Sequence, residues 1–266
     1  MRFRTALALN VILLSLSVSG QTIDVKGGKQ QTSKPAPAAT VKPAPAPPAA
    51  DVAYRPILLG QGPNSLVNRI DSQSLVKGGQ KDGMVMFNAL IDKTGKMIVS
   101  AFYRASPNST LLENEVKRRL RDTVFVPGIY NHKPVDAVYY CTVTFVVVEG
   151  KPRLRIFSNQ EYPELKAESD FVGPQPILGG ESGFNGVHYP PAAAAQVPVN
   201  GIADIRVQLD DKGEIQLLSV VGEHPPLIGF GAQALMDLYG AKFIPAFRDG
   251  KPVACDVTLP VYYPEP

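Results

Sequence analysis

Two stretches of the chain interleave apolar and polar positions with a period of two. In the first, Val85, Phe87, Ala89 and Ile91 alternate with Met86, Asn88 and Leu90; in the second, Ala203, Ile205, Val207 and Leu209 alternate with Asp204, Arg206 and Gln208. That period marks a strand with one buried face. Lys93-Thr94-Gly95 and Asp211-Lys212-Gly213 then place a glycine turn before a second apolar run, Met97–Tyr103 and Ile215–Val221, which is a hairpin signal. Proline-bearing loops follow, Pro107-Asn108-Ser109 and Pro225-Pro226. Leu112, Val116 and Leu120 recur at helical spacing, as do Leu227, Phe230, Ala234 and Leu238 over the helix predicted at Ile228–Tyr239. A third, longer strand is predicted at Val135–Val148 and again at Val253–Tyr263.

The two stretches are related by a gap-free offset of 118 residues, Gly83–Phe145 onto Gly201–Tyr263. Identical pairs include Gly83/Gly201, Asp92/Asp210, Gly95/Gly213, Phe125/Phe243 and Pro127/Pro245, and Lys133-Pro134-Val135 recurs as Lys251-Pro252-Val253. Identities that gather at turns fit a duplicated unit. The expected fold class is α+β, with two tandem units. Each is a β-hairpin, a helix and a third strand, forming an antiparallel sheet packed on the helix.

The second unit carries further motifs: Tyr189-Pro190-Pro191-Ala192 leading a short helix, Val199-Asn200-Gly201 entering a strand, Asp210-Asp211-Lys212-Gly213, Phe243-Ile244-Pro245-Ala246, and Asp249-Gly250-Lys251-Pro252-Val253. In order and spacing it resembles the TonB C-terminal domain family. The first unit lacks the Tyr-Pro-Pro motif and has Ser65–Lys77 in its place, so it reads as a divergent copy. The resemblance implies a non-enzymatic module that captures an extended peptide of an outer-membrane receptor by adding it as a strand to a sheet edge. The last strand is the candidate edge, with Val253, Cys255, Val257, Thr258, Leu259, Val261 and Tyr262 as the partner-binding residues. Pro260 independently suits an edge, because proline within a strand is confined to edges, ends and bulges.

The N-terminus sets the compartment. Arg2 and Arg4, the mostly apolar run Ala6–Val18 and the small residues Val18-Ser19-Gly20 read as a secretory signal peptide. The apolar run is short of the about 20 residues a spanning helix needs. Gln21–Ser33 is polar, and Pro35–Ala50 is rich in proline and alanine, a composition that favours an extended spacer. The expected organisation is a signal at 1–20, a Pro/Ala-rich linker at 21–53, the divergent unit at 54–162, a connector at 163–174 and the family-like domain at 175–266. The protein is expected to be periplasmic or secreted, with no stable transmembrane segment once the signal is cleaved. TonB itself keeps an uncleaved anchoring helix, so coupling to a proton channel is not implied here.

Composition narrows the chemistry. The 266 residues are 44% hydrophobic and 19% charged, with net charge +3, and without Arg2 and Arg4 only one basic residue remains in excess. Phosphate-held nucleic-acid binding calls for far more. Two cysteines and three histidines, none with a second ligand at metal spacing, give no metal, cofactor or catalytic site. The basic run Lys117-Arg118-Arg119-Leu120-Arg121 reads first as a solvated helix face and second as a site for anionic polymer. Two function classes stay open: a protein- or peptide-binding module of the cell envelope, and an envelope scaffold or adaptor with no transport role. Cys141 and Cys255 are expected on buried faces, either as separate thiols or as a bridge between adjacent closing strands.

Overall fold

The computed structural model describes residues 52–60, 62–191 and 198–266. The expected signal, nearly all of the proline-rich arm, and the short helix after Tyr189-Pro190-Pro191 lie outside these or largely so.

The first half is built on β1 (Gly83–Ile91), β2 (Met97–Ala105), helix α1 (Thr110–Leu120), β3 (Ala137–Val148) and β4 (Lys151–Phe157). Its sheet runs in the order β2-β1-β3-β4, antiparallel throughout. Val85, Phe87, Ala89 and Ile91 on β1 and Tyr139, Cys141, Val143 and Phe145 on β3 are fully buried. They form the face that α1 covers with Leu112, Val116 and Leu120. Each Val, Leu, Ile or Phe side chain so withdrawn from water contributes roughly 1.5–3 kcal/mol. Helix α2 (Tyr162–Ala167) follows, and then the second half: β5 (Gly201–Leu209), β6 (Ile215–His224), α3 (Phe230–Leu238) and β7 (Cys255–Tyr263), with sheet order β6-β5-β7. Here Ala203, Ile205, Val207 and Leu209 meet Val257, Leu259, Val261 and Tyr263 under Phe230, Ala234 and Leu238 of α3. The molecule is thus a mixed α+β fold of mostly antiparallel sheets, as the alternation predicted.

Two details differ from the sequence expectation, and the cysteines take one of the two arrangements expected. Both closing strands are interrupted. Lys133–Val135 and Lys251–Val253 form separate small hairpin strands, and the long strands start only at Ala137 and Cys255. The break at Asp136 frees its carboxylate to accept the Lys93 N–H (2.7 Å). Strand β4 was not anticipated; Pro152, Leu154 and Ile156 alternate with Lys151, Arg153 and Arg155, a short and strongly charged pattern that hides the period. Finally, the cysteines are free. β3 is flanked by β1 and β4, whereas β7 pairs only with β5, so the closing strands that a bridge would need side by side lie in different sheets.

The hairpin turns explain several identities. Asp92 Oδ1 accepts the N–H of Thr94 (2.8 Å) and Lys96 (3.0 Å), and Asp210 Oδ1 accepts those of Lys212 and Glu214 (both 2.9 Å). Gly95 (φ +86°) and Gly213 (φ +81°) occupy the left-handed region. Their carbonyls accept the N–H of Phe125 (3.0 Å) and Phe243 (3.2 Å). A Cβ would lie 2.1 Å from the Phe125 carbonyl oxygen at Gly95 and 1.9 Å from that of Phe243 at Gly213. Only glycine fits.

The residues just after the segment expected as a connector are packed between the halves. Gln175, 1% exposed, accepts the Ile57 N–H (2.7 Å) through Oε1 and donates through Nε2 to the Ile57 carbonyl (3.3 Å). Gln175-Pro176 pairs with Phe243-Ile244, and the next residues, Ile177 and Leu178, bond to Ala137 and Asp136 of the first half. Arg104 donates to both carboxylate oxygens of Asp204 (2.6 and 2.8 Å), and Tyr103 lies 6.2 Å from Tyr262 between ring centres. The buried Tyr140 of β3 belongs to the core of the second half.

The glycine turns yield a stability test. Gly213→Ala is expected to cost about 3 kcal/mol or more, from left-handed strain plus a backbone clash. Gly95→Ala should behave alike. Urea denaturation of each variant measures the loss; a change below about 1 kcal/mol at either site would contradict this account.

Candidate functional site: the outer edge of the last strand

β7 is an edge strand. Its partner β5 runs antiparallel beside it from Cys255↔Leu209 to Tyr263↔Gly201. In such a ladder each residue directs its N–H and C=O to the same side, alternating along the strand. The Thr258 N–H points away from β5, since it donates to Glu161 Oε1 at 2.7 Å. Residues 256, 258, 260 and 262 therefore carry the outward groups, and 257, 259 and 261 the bonds to β5.

The expected partner-binding residues separate accordingly. Val257, Leu259 and Val261 are buried in the α3-facing core, and only their backbone approaches the edge. Val253 sits outside β7, in the small hairpin with Ala246. Cys255 is half-buried, and burial pushes its thiol up to about 12. Tyr262 is half-buried and donates its hydroxyl to Asn200 Oδ1 (2.8 Å). Thr258 keeps the central outward donor, already occupied by Glu161, and Pro260 is buried and has none. At the start of the strand, Asp256 is held at about 2 by bonds from Arg206 and Gln208.

Glu161 belongs to a strap, Asn159–Phe171, laid along this edge. Asn159 donates to the Phe171 carbonyl (2.8 Å), and its own carbonyl accepts the buried Thr142 hydroxyl (2.8 Å). Gln160 bonds to the Tyr103 hydroxyl. Arg248 closes the far end, binding Glu164 (2.5 Å) and standing 5.1 Å over the Phe171 ring. A cleft of about 350 Å³ between strap and strand is lined by Glu161, Glu164, Phe171, Arg248, Cys255 and Asp256, among others. Sequence reasoning missed the strap's role: Glu161 and Thr258 are 97 residues apart, and no local pattern joins them.

The first sheet shows the same edge filled. Outward positions of β3 pair with β4, from Thr142↔Phe157 to Val148↔Lys151. By the 118-residue offset Thr142 corresponds to Pro260, so the position that bonds β4 in one half has no donor in the other.

Residues 185–264 match the family model of the Gram-negative bacterial TonB protein C-terminal. This part of the chain is a TonB C-terminal domain. No curated protein and no solved structure matches the chain. The TonB C-terminal match spans β5, β6, α3 and β7, hence the whole second sheet. The family is a periplasmic, non-enzymatic protein-interaction domain. Among the described residues no helix is long and apolar enough to cross a membrane, and no group of His, Cys, Asp and Glu is arranged to hold a metal.

Two other candidates have structural explanations. His188 Nδ1 lies 2.8 Å from Asp237 Oδ1, and Asp237 also takes the His188 N–H, the Gln233 amide and the Tyr263 hydroxyl. That buried carboxylate ties the start of the domain to α3 and β7. The basic run on α1 is answered within its own helix, Lys117 by Glu113 and both Arg118 and Arg119 by Glu115. Burial alone would push the Glu115 carboxyl up, but these arginines and the Asp71 N–H hold it below its usual value.

Burial raises the Glu161 carboxyl, outweighing the Thr258 N–H, and Asp256 and Glu164 push the same way. A carboxyl raised in the folded chain holds its proton more tightly there than when unfolded. Its ionisation therefore costs stability as pH rises from the usual carboxylate value through the raised one. Glu161→Gln keeps an oxygen acceptor for Thr258 and abolishes the titration. The variant is expected to gain Tm over the parent at pH 7 and to lose that gain near pH 3. An equal difference at both pH values would refute the cause assigned.

Proposed function

We propose that this protein is an exported, non-enzymatic protein-binding module of the bacterial cell envelope, taking an extended segment of a partner as an added strand on β7. The observation that carries this is the TonB C-terminal domain at 185–264, whose last strand is paired on one side only. Strand addition draws its affinity from main-chain bonds, so it depends on the outward groups of residues 256 to 262 more than on their buried neighbours. The incoming strand takes the Thr258 N–H from Glu161, a one-for-one exchange of acceptors. Partners of this chemistry are extended segments of envelope proteins, including outer-membrane receptors. The N-terminal signal at 1–20 and spacer at 21–53 fit a periplasmic or secreted site. The matching element order, Asp-Gly turns and 118-residue offset support two tandem copies, 54–162 and 175–266, joined by 163–174.

A second reading, a scaffold with no transport role, draws support from the Glu161 cap itself, because a protein that never receives a strand at β7 would keep that edge closed.

Partners crosslinked to the mature chain in its envelope supply the ligand for the test. Thr258→Pro removes the outward donor and breaks no bond to β5, and Pro260 two residues on shows that the strand accommodates proline at an outward position. Affinity for the crosslinked segment should fall at least tenfold in Thr258→Pro and rise in Glu161→Ala, with the melting temperature of each recorded beside it. Unchanged affinity in both variants supports the scaffold.

A further inference from the structure

The four outer edges of the two large sheets are not equally protected. β4 carries Lys151, Arg153, Arg155 and Pro152, with both arginines bound to Glu168. β7 has Pro260 and the Glu161 cap. β2 is tied near its end to the second half through Tyr103 and Arg104. β6 has none of these. From Ile215 to Gly222 it holds no charged residue and no proline. It pairs with β5 alone, and no other described residue bonds to its backbone. Natural edge strands are normally blunted by charge, proline, bulges or a covering segment; β6 has only two bulges, at Ile215/Leu217 and Val220/Gly222, which leave Leu217–Val220 in regular register as a template for pairing.

We infer that β6 is a second strand-acceptor edge, taking an uncharged, extended segment of a protein partner. This surface is distinct from β7 and does not rest on the reading given for it.

The ladder fixes which groups the partner would meet. Since 257, 259 and 261 bond to the odd positions of β5, its even positions 202, 204, 206 and 208 bond to β6. Their partners there are His224, Gly222, Ser219 and Leu217. Leu218, Val220 and Glu223, opposite Val207, Ile205 and Ala203, direct N–H and C=O outward. Side chains add an apolar grip: Val221 is 61% exposed and Val220 42%. Leu227, in the loop just beyond, is 96% exposed with φ +65°, in the left-handed region that a branched side chain rarely adopts. That loop is held by Glu223, whose carboxylate accepts the N–H of Ile228 (2.9 Å), Gly229 (3.1 Å) and Gly231 (2.6 Å).

Charge selects the occupant. The stretch Ile215 to Gly222 carries no charge, and it is bracketed by the carboxylates of Glu214 and Glu223. Glu214 is paired with Lys242, and Glu223 is spent on backbone N–H groups, so neither needs a cation. An acidic segment would be repelled at both ends and a basic one would find no free counter-charge. A neutral segment with β-branched residues gives up no charge solvation, regains main-chain hydrogen bonds on the ladder and packs on Val220 and Val221.

The test uses the full chain, ¹⁵N-labelled, titrated with a capped hexapeptide of alternating threonine and valine, and with the same peptide bearing glutamate for threonine. The amide signals of Leu218 and Val220 should shift with the neutral probe, which should bind at least fivefold tighter than the acidic one. Val221→Lys sets a charge on the edge at an exposed position and leaves every ladder donor in place. It should weaken the neutral probe at least fivefold with the melting temperature unchanged. Shifts confined to Thr258 and Tyr262 would overturn the β6 assignment and leave that of β7 intact. Absence of any shift at millimolar probe would overturn it as well. So would a doubled solution mass with Leu218 and Val220 amides protected before any probe is added, because the occupant would then be a second copy of the chain.

Discussion

The buried amide of Gln175 is the constraint on which the arrangement of the two halves depends. It satisfies both the N–H and the C=O of Ile57, two backbone groups that no sheet reaches, at a site nearly closed to water. A buried peptide group left without partners costs about 1–3 kcal/mol, so this one side chain secures the Ile57 segment to the middle of the chain. The residues after it bond in both directions, to Lys242 and to Asp136. The strap is pinned at one end by Gln175 and at the other by Asn159, and so has one place to lie. That place is the edge of β7.

What was legible in the sequence was whatever is local. The alternation in Ala203–Leu209, the Asp-Gly turns and the helical spacing of Leu112, Val116 and Leu120 each report on neighbours within a few residues. Each reappears at the expected position. The TonB C-terminal match was also readable, because turn residues such as Gly213 are fixed by a backbone conformation and a close carbonyl, independent of what surrounds the domain. Strand β4 escaped because its outward arginines serve Glu168 in place of solvent and swamp the apolar period. The state of the candidate edge escaped for a different reason. Whether Thr258 offers its N–H to a partner depends on Glu161, and nothing near either residue announces the other. A sequence identifies an edge strand through its proline; it does not reveal what lies against that edge.

The outer edges of the two large sheets are closed in different ways. In the first, the chain continues past β3 and folds back as β4, satisfying the outward groups with its own backbone. In the second, β7 pairs with β5 alone, and side chains from elsewhere do part of that work. A carboxylate caps one donor, and a proline removes the next. Covering by side chain leaves the strand reversible in a way that a built-in hairpin is not, since exchanging one acceptor for another disturbs no ladder.

The half-buried Cys255 at the start of β7 bears on chemical durability. A thiol reacts with oxidants and disulfides as the thiolate, and burial that holds the Cys255 proton up to about 12 keeps that form scarce near neutral pH. Cys141, wholly enclosed, has its thiol pushed up by burial as well. The chain can therefore carry two unpaired sulfurs through oxidising surroundings with little mixed-disulfide formation, its inertness set by solvent exclusion and requiring no reductant.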